Sequence, residues 1–570
     1  MQDRFYIAGQ LRDIARLLKV AGENLFKVRA YERAARAMEN LPDDLDVRVK
    51  NRRLTEIDGV GNALAAVIEE IYRTGESATL QHLRDQMPPA VVELNAIPGL
   101  SLKKIRALHE ALNIQSVEDL KLACEKGLVR EVKGFGEKAE AKILSAMGSL
   151  NSRKDRTLLP HALADAEALM RYLRAIPEVI ECDIAGSLRR RKETVRRIHL
   201  VAASANLKVV IDRFLRYPLF AQSDESDTTR CVGRLASGLE VELHIAAPAE
   251  FAAALHYWTG SREHYAALEA VARSLGITIG AAGLHGPKGR IPKVRTENDL
   301  YSRLGLQYIA PELRENEGEI EVASTGSLPD SLISEEIQGM VHCHTTYSDG
   351  QNTIEEMALA AEAMGMRYVT ITDHSPSAFY AGGVTIDRLR AQWEEIDRVQ
   401  ERLQIKLLKG TESDILEDGL LDYPDYILEK FDIIIASIHA RNKMNADQMT
   451  ERLLRAMRLP FFKIWGHPLG RLIQSRPPLE CRMDEVLDAI ADSRAAIEVN
   501  GDPHRLDLEP KWIRAARSRG IKFVVSTDAH SLRNLQNLPY GVAMARRGWL
   551  ARDDVLNTLP VSKFMKAVHP

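Results

Sequence analysis

At 570 residues the chain is too long for one hydrophobic core, and three or four domains are expected. Hydrophobic residues make up 45% and charged residues 28%, an ordinary globular composition; 77 Lys plus Arg nearly balance 80 Asp plus Glu, which excludes a globally basic protein and requires any nucleic-acid surface to be local. The five cysteines (Cys124, Cys182, Cys231, Cys343, Cys481) are scattered and form no C-x-x-C pair, which argues against a disulfide scaffold or a thiolate zinc site and fits a reducing compartment. The opening MQDRFYIAGQLRDIARLLKV has no signal-peptide core, and no apolar run reaches membrane-spanning length. A cytoplasmic protein without a membrane partner is expected, working as a monomer.

Residues 1–150 read as helical, with apolar residues at helical spacing in Leu11, Ile14, Ala15, Leu18 and in Leu64, Val67, Ile68, Ile71. A short repeat runs through them: IDGVGNALAAVI, IPGLSLKKIRAL and VKGFGEKAEAKI. Each copy places a glycine turn before a helix: Gly59-Val60-Gly61, a turn beginning at Gly99, and Gly134-Phe135-Gly136. The second copy has Ser101 where the others have Gly61 and Gly136. Such turns resemble the helix-hairpin-helix motif. There, backbone N–H groups and a helix dipole face a DNA phosphate without reading sequence.

Residues 151–330 change character. Strand-like runs (IECDIAGSL, RIHLVAAS, LEVELHIAA) alternate with helical ones, which predicts an α+β region. A Gly/Ser/Pro cluster at Gly326–Pro329 suggests a linker over 326–336.

From residue 337 to 570 strand and helix patterns alternate. Strands are expected at Met340–His344, Arg367–Thr372, Lys406–Glu412, Ile433–Ile438, Phe462–Trp465, Ala496–Val499 and Lys522–Ser526, a parallel β/α barrel of seven strands. Most of these strands end on potential metal ligands: His342, His344 and Asp349, then His374, Glu412, His439, His467, and finally Asp528 and His530. In such a barrel those ends share one face. Imidazole and carboxylate donors without thiolate suit zinc, manganese or iron, and nine of them can hold two to three ions. Clustered cations clamp phosphate oxygens and turn water into a hydroxide nucleophile.

The segments HCHTTYSDG, TDHS, GTESDI, SIHA, GHP and STDAHS resemble the successive motifs of the polymerase-and-histidinol-phosphatase (PHP) superfamily. The resemblance implies a distorted (β/α)7 barrel with a trinuclear Mn2+ or Zn2+ site. His342, His344, Glu412 and Asp528 would hold one ion, Glu412 would bridge to a second held by His439 and His467, and Asp349, His374 and His530 would hold the third. Asp373 and Asp414 would orient ligands, and Arg471 and Arg505 would contact substrate phosphate.

The preceding two-thirds resembles the bacterial family X DNA polymerases, through AGENLFKVRAYERAARAMENL, IAGSLRRRKETV, HYWTGSREH and LYSRLGLQYIAPELRENEGEIE. The implied architecture is a multidomain chain. A helical 8-kDa-like DNA-binding domain (1–85) and a fingers-like helical region (86–150) precede a palm-like domain (151–245) and a thumb-like domain (246–325). The linker and the PHP domain (337–570) follow. The palm departs from the family. Where a Gly-Asp-x-Asp stretch would hold two magnesium ions, this chain has Arg196-Arg197-Ile198-His199, and the third family aspartate aligns with Glu242. Tyr265 follows His264 in place of an asparagine, and Gly280–Gly283 (GAAG) replaces Asn-Glu-Tyr-Gly. A palm with one acid is ill suited to Mg2+ and is expected to synthesise little or nothing. Gly186, Ser187, Arg189 and Arg190 survive and are expected to keep contact with phosphate.

These features predict a base-excision or break-repair nuclease acting on gapped, nicked or 3′-end DNA. It would be a metal-dependent 3′–5′ exonuclease, with AP-endonuclease or 3′-phosphatase action in the same site. The alternatives are an active gap-filling polymerase with PHP proofreading, a scaffold with an inert barrel, and a small-molecule phosphatase of the histidinol-phosphate type.

Overall fold

The computed structural model describes residues 4–20, 24–39, 41, 45–57, 59–85, 94, 97, 100, 102–144, 156–235, 238–287, 289–291, 294–441 and 443–568. The chain divides into two compact units, Met1–Asp155 and Arg156–Pro570.

In the first unit every regular element among the described residues is helical, as the periodicity predicts. Helices Arg4–Val20 and Leu25–Glu39 pack with Asn62–Thr74 around Ile7, Leu11, Ile14, Leu18, Ile68 and Ile71. A second apolar cluster gathers Leu108, Leu120, Val129 and Ile143. Helix Asn62–Thr74 is capped at its start by Gly61 and stopped by Gly75 in a left-handed conformation (φ +78°).

The second unit opens on a pair of two-residue strands, β1 (Thr157–Leu158) and β3 (Thr194–Val195). A five-stranded sheet is built from β2 (Glu181–Ala185), β4 (Arg197–Ala203), β5 (Phe220–Ser226), β6 (Arg230–Leu235) and β7 (Glu240–Ala246), in the order β2-β4-β7-β6-β5. Strands β4 and β7 run parallel, with Arg197 opposite Glu240, His199 opposite Glu242 and Val201 opposite His244. Side chains alternate along a strand. Arg197 and His199 therefore share a face with Glu240, Glu242 and His244, while Ile198, Leu200, Val241 and Leu243 join the apolar core that includes helix Leu159–Arg174. A three-stranded sheet, β8 (Thr278–Gly280), β9 (Gly283–Gly286) and β10 (Gly289–Arg290), follows the helix pair Phe251–Thr259 and Arg262–Ser274.

The last seven strands form one all-parallel sheet in sequence order: β11 (Gly339–Met340), β12 (Tyr368–Ile371), β13 (Lys406–Asp414), β14 (Ile433–Ser437), β15 (Ile464–Trp465), β16 (Ala496–Asn500) and β17 (Phe523–Ser526). The first and last ladders meet past their C-terminal ends, where the His344 amide donates to the Ala529 carbonyl (2.8 Å) and the Ala529 amide to that of His342 (3.1 Å). At the other end Asn557 plugs the seam, donating to the carbonyls of Gly339 (2.9 Å) and Val525 (2.8 Å) and accepting from the Val525 amide (2.9 Å). The barrel is therefore nearly closed. β11 stops at Met340 rather than His344, because His342 and His344 spend their side chains on the site and their backbone on the β17 seam. No helix among the described residues is long and apolar enough to cross a membrane.

Candidate metal centre

The nine expected ligands gather at the C-terminal end of the barrel. His342 and His344 follow β11, His374 follows β12, Glu412 lies in β13, His439 follows β14, His467 follows β15, and Asp528 and His530 follow β17. Asp349 arrives on the loop after β11, and Gly350 lets that loop press against the backbone at His344, where a Cβ would come within 2.5 Å of the carbonyl. Asp528 and His467 hold positive φ (+50° and +23°), backbone that a non-glycine residue adopts only when its surroundings enforce it.

Glu412 sits at the centre. His342 Nε2 and His344 Nε2 lie 3.4 and 3.5 Å from its Oε2 and 3.5 and 3.2 Å from Asp528 Oδ1. On its other oxygen it faces His439 Nε2 (3.3 Å) and His467 Nε2 (2.7 Å). Asp349 Oδ1 faces His374 Nε2 (3.6 Å), His530 Nε2 (3.4 Å) and His344 Nδ1 (3.9 Å). Donors bound to one tetrahedral ion at about 2.0–2.1 Å stand roughly 3.3 Å apart, the spacing seen here.

A metal fits this site for a second reason. His342 Nε2, both ring nitrogens of His344, His374 Nδ1, Glu412 Oε2 and His467 Nδ1 are buried and have no hydrogen-bond partner. Buried polar atoms are rarely left so. Ions among these side chains would satisfy the atoms that face the cluster.

The supporting residues fix which ring nitrogen faces inward. His342 Nδ1 donates to Glu498 Oε1 (2.6 Å), His439 Nδ1 to Asp414, and His530 Nδ1 to the Asp528 carbonyl (2.8 Å), so each presents Nε2 to the cluster. Asp373 accepts from Thr345 N (2.7 Å), Thr345 Oγ1 and Gln392 Nε2 (both 2.6 Å), bracing the loop that carries Asp349. Burial opposes every charge here, yet the imidazoles nearby hold Glu412 and Asp528 well below the usual carboxylate range. For His439 burial is outweighed by Glu412 and Asp414, which push it up to about 10; His344, buried among His530 and His374, is pulled down to about 3.

Glu498 was not among the expected residues. It also accepts from Ser526 Oγ (2.6 Å), Asn500 Nδ2 (3.2 Å) and the His467 amide. The signal was a lone carboxylate inside the apolar run of β16, which is buried throughout. Of the two expected phosphate-binding arginines, Arg505 stands at the site, Nε 3.3 Å from Asp528 Oδ2, with Nε and Nη1 buried and unpartnered. Arg471 does not. Its guanidinium is spent on the carbonyls of Arg505 (2.8 Å) and Leu506, on Glu509 (3.0 Å) and on Glu193 (3.4 Å), because the loop after His467 turns it back toward the preceding domain.

The palm face holds a different cluster. Arg197 donates to Glu242 (2.7 Å) and pairs with Glu240; Arg230 lies 2.5 Å from the other Glu242 oxygen. His199 Nδ1 and His244 Nε2 are 3.4 Å apart. Burial, with the nearby arginines, takes His199 down to about 4 and His244 to about 3 despite Glu242. Gly186 (φ +65°) packs so closely on His199 that a Cβ would stand 2.7 Å from Cδ2. The expected phosphate cradle is not free. Arg189 is bidentate to Glu297 (2.8 Å each) and Arg190 is held by Glu315 (3.0 Å) and the Thr259 carbonyl, while Ser187 lies in the short helix Gly186–Arg189. Acids supplied from beyond residue 290 neutralise the basic strip, which its local sequence could not reveal.

In the first unit, the Gly59-Val60-Gly61 turn leads into helix Asn62–Thr74 with Gly59 at φ +79°, and Gly134-Phe135-Gly136, with Gly134 at φ +94°, leads into helix 137–144. Helix starts of this kind leave first-turn N–H groups without intrahelical partners. The turn at Gly99 and Ser101 lies outside the described residues.

Known families match along the chain. A helix-hairpin-helix domain matches residues 4–77 and a SAM-like helix-hairpin-helix tandem 91–148; the DNA polymerase beta thumb matches 254–315 and the PHP domain 341–502. A Bacillus subtilis protein described as DNA polymerase/3′-5′ exonuclease PolX is 35% identical over 557 residues, 96% of each chain. A protein of Thermoanaerobacter sp. described as a "probable phosphatase" is 29% identical over 229 residues, 38% of this chain and 89% of its own. A similarly described protein of Clostridium botulinum is 25% identical over 226 residues, 38% of this chain and 88% of its own. With helix-hairpin-helix elements, a polymerase thumb, a metal-binding PHP barrel and that end-to-end likeness, this chain belongs to the family X DNA polymerases that carry a C-terminal PHP domain.

Proposed function

We propose that the chain is a DNA-repair nuclease whose barrel hydrolyses phosphodiesters at DNA 3′ ends, and whose palm has lost magnesium-dependent synthesis. The observation that carries the hydrolase reading is the set of nine converging imidazoles and carboxylates with orphaned buried atoms. His342, His344, Glu412 and Asp528 would hold one ion, Glu412, His439 and His467 a second, and Asp349, His374 and His530 a third. When bound, Mn2+ or Zn2+ ions supply charge to neutralise the phosphate and lower the pKa of an attacking water. The chain's own residues do the rest. Arg505 offers unpartnered N–H groups to a phosphate oxygen. Tyr380 and Phe379, 49% and 84% exposed on the loop after His374, offer a surface for a terminal base. The barrel interior behind the site is filled by buried apolar side chains such as Val341, Leu408, Ile435 and Val524.

The name of the Bacillus relative supports 3′–5′ exonuclease action, and the glycine turns before helices support DNA as the substrate. That name also includes a polymerase. The loss of synthesis in this chain is supported by Arg197 and His199, which leave Glu242 as the sole acid of three, and by the guanidinium groups of Arg197 and Arg230, which lie against its two oxygens. The deciding assay uses end-labelled gapped, nicked, abasic and 3′-phosphorylated duplexes, each with manganese, zinc or magnesium and with or without nucleotides. Shortening from the 3′ end with manganese or zinc and no extension is expected. Hydrolysis confined to small phosphate monoesters would instead select the small-molecule phosphatase reading.

A further inference from the structure

Where its family has two acids the palm has Arg197 and His199, and His199 stands in a specific arrangement with Glu242 and His244. On the parallel β4–β7 ladder, His199 stands opposite Glu242, and His244 follows two residues later on the same face. His199 Nδ1 is 3.4 Å from His244 Nε2 and 3.7 Å from Glu242 Oε2, and His244 Nε2 is 3.4 Å from Glu242 Oε1. These separations of 3.4–3.7 Å lie near the roughly 3.3 Å edges of a tetrahedral site with ligand bonds of about 2.0–2.1 Å. As a hydrogen bond, 3.4 Å between two ring nitrogens is long.

We propose that the palm binds one zinc-class transition-metal ion through His199 Nδ1, His244 Nε2 and Glu242, in place of the two magnesium ions that an acidic palm would hold. Two imidazoles and one carboxylate, with a fourth position left open, are a donor set that zinc takes and magnesium does not. The rings are pre-set for it. Trp258 stacks on His244 (centroids 3.5 Å, 10° between planes), and the close approach of Gly186 backs His199. The two imidazole planes lie 10° from parallel with centroids 5.7 Å apart.

The arginines do not forbid the ion. Arg197 and Arg230 sit on the carboxylate oxygens, where hydrogen-bonded supporting groups commonly hold a ligating carboxylate. Glu240 and Glu242 offset the charges of Arg197 and Arg230 before the ion arrives. His199 is partly exposed, which gives the open position access to solvent or to a phosphate oxygen of bound DNA.

The test counts ions on the full-length chain. Parent protein, His199→Gln and His244→Gln are dialysed to equilibrium against buffered free zinc and analysed for metal. Each variant is expected to hold one equivalent less than the parent, and equal contents overturn the proposal. The missing equivalent should persist in the parent under a large excess of magnesium; its displacement by magnesium overturns the assignment to this donor set. Should the variants fold poorly, crystals of the parent soaked in zinc decide. An anomalous peak at the zinc edge between the three side chains is expected, and its absence at the zinc concentration that saturates the dialysed protein rejects the site.

Discussion

The barrel and palm clusters use the same residue types to opposite electrostatic ends. In the barrel, carboxylates face imidazoles, and several of the nitrogens and oxygens between them have no hydrogen-bond partner among the protein atoms. In the palm, Glu242 faces two guanidinium groups, and the charges cancel within the chain. The first arrangement costs stability until something cationic enters it, since buried polar atoms left unsatisfied each cost about 1–3 kcal/mol. In the second, the carboxylate is already paired with arginines. The barrel arrangement favours the entry of cations, whereas the palm offers one acid already paired with two arginines.

The largest expected effect is at the barrel. Asp528→Ala or His344→Ala should abolish hydrolysis of end-labelled DNA, a loss beyond the ~10–100-fold typical of removing a supporting group. DNA affinity, read by gel shift, should hold nearly steady. Stripping the parent with a chelator should do the same, with manganese restoring activity. A variant that keeps its nuclease activity would end the comparison, because the barrel would then be no better furnished for catalysis than the palm.

Next in size is a residue that ties the two together. Glu193 pairs with Arg547 (2.7 Å) and Arg471 (3.4 Å), joining the palm-like region to the barrel. Burial raises its pKa, but the two guanidinium groups overcome that and pull it down to about 2. Because the folded value lies below the unfolded one of roughly 4.3, the stabilisation is fully present above that value and is lost as pH falls toward 2. Glu193→Gln should cost about 3 kcal/mol at neutral pH, the lower end of what breaking a buried ion pair costs. In thermal melts the gap between parent and variant should close as pH drops below 4. A constant gap across that range would mean that the carboxylate's charge is irrelevant.

Much of the barrel was legible in the sequence because its ligands sit at strand ends, and strand ends are where a β/α pattern is easiest to read. The positions of His342, His344, His374, Glu412, His439, His467, Asp528 and His530 needed only that pattern. What escaped was whatever depends on distant partners. Glu498 lies inside an apolar strand and acts through His342, more than 150 residues away. Arg471 looked like a phosphate ligand until the fold supplied Glu193 and Glu509. Arg189 and Arg190 looked free until Glu297 and Glu315 arrived from beyond the small β8–β10 sheet. A charged residue's local sequence tells what it could bind, and only the fold tells what has already bound it.

Glu498 sharpens that point. It orients rather than coordinates, so Glu498→Gln should lower activity about 10–100-fold and weaken manganese affinity in parallel. The amide retains the size and can still accept from His342 Nδ1. The loss should therefore shrink when manganese is raised, which an inert or misfolded variant would not do. If saturating manganese recovers nothing, Glu498 has a part in the chemistry beyond holding His342 and His467.

The smallest expected effect is the most diagnostic for the palm. Glu242→Ala should leave gap filling where the parent has it, at or near background, with either magnesium or manganese. The reason is arithmetic of charge: two-metal nucleotidyl transfer needs several carboxylates to offset four positive charges, and here Arg197 adds one where an acid would remove one. Glu242 alone, paired with Arg197 and Arg230, supplies too little negative charge to hold two magnesium ions. Robust synthesis by the parent that disappears in Glu242→Ala would show that other acids have been recruited beside it. The two clusters would then differ in degree of occupancy by arginine rather than in kind.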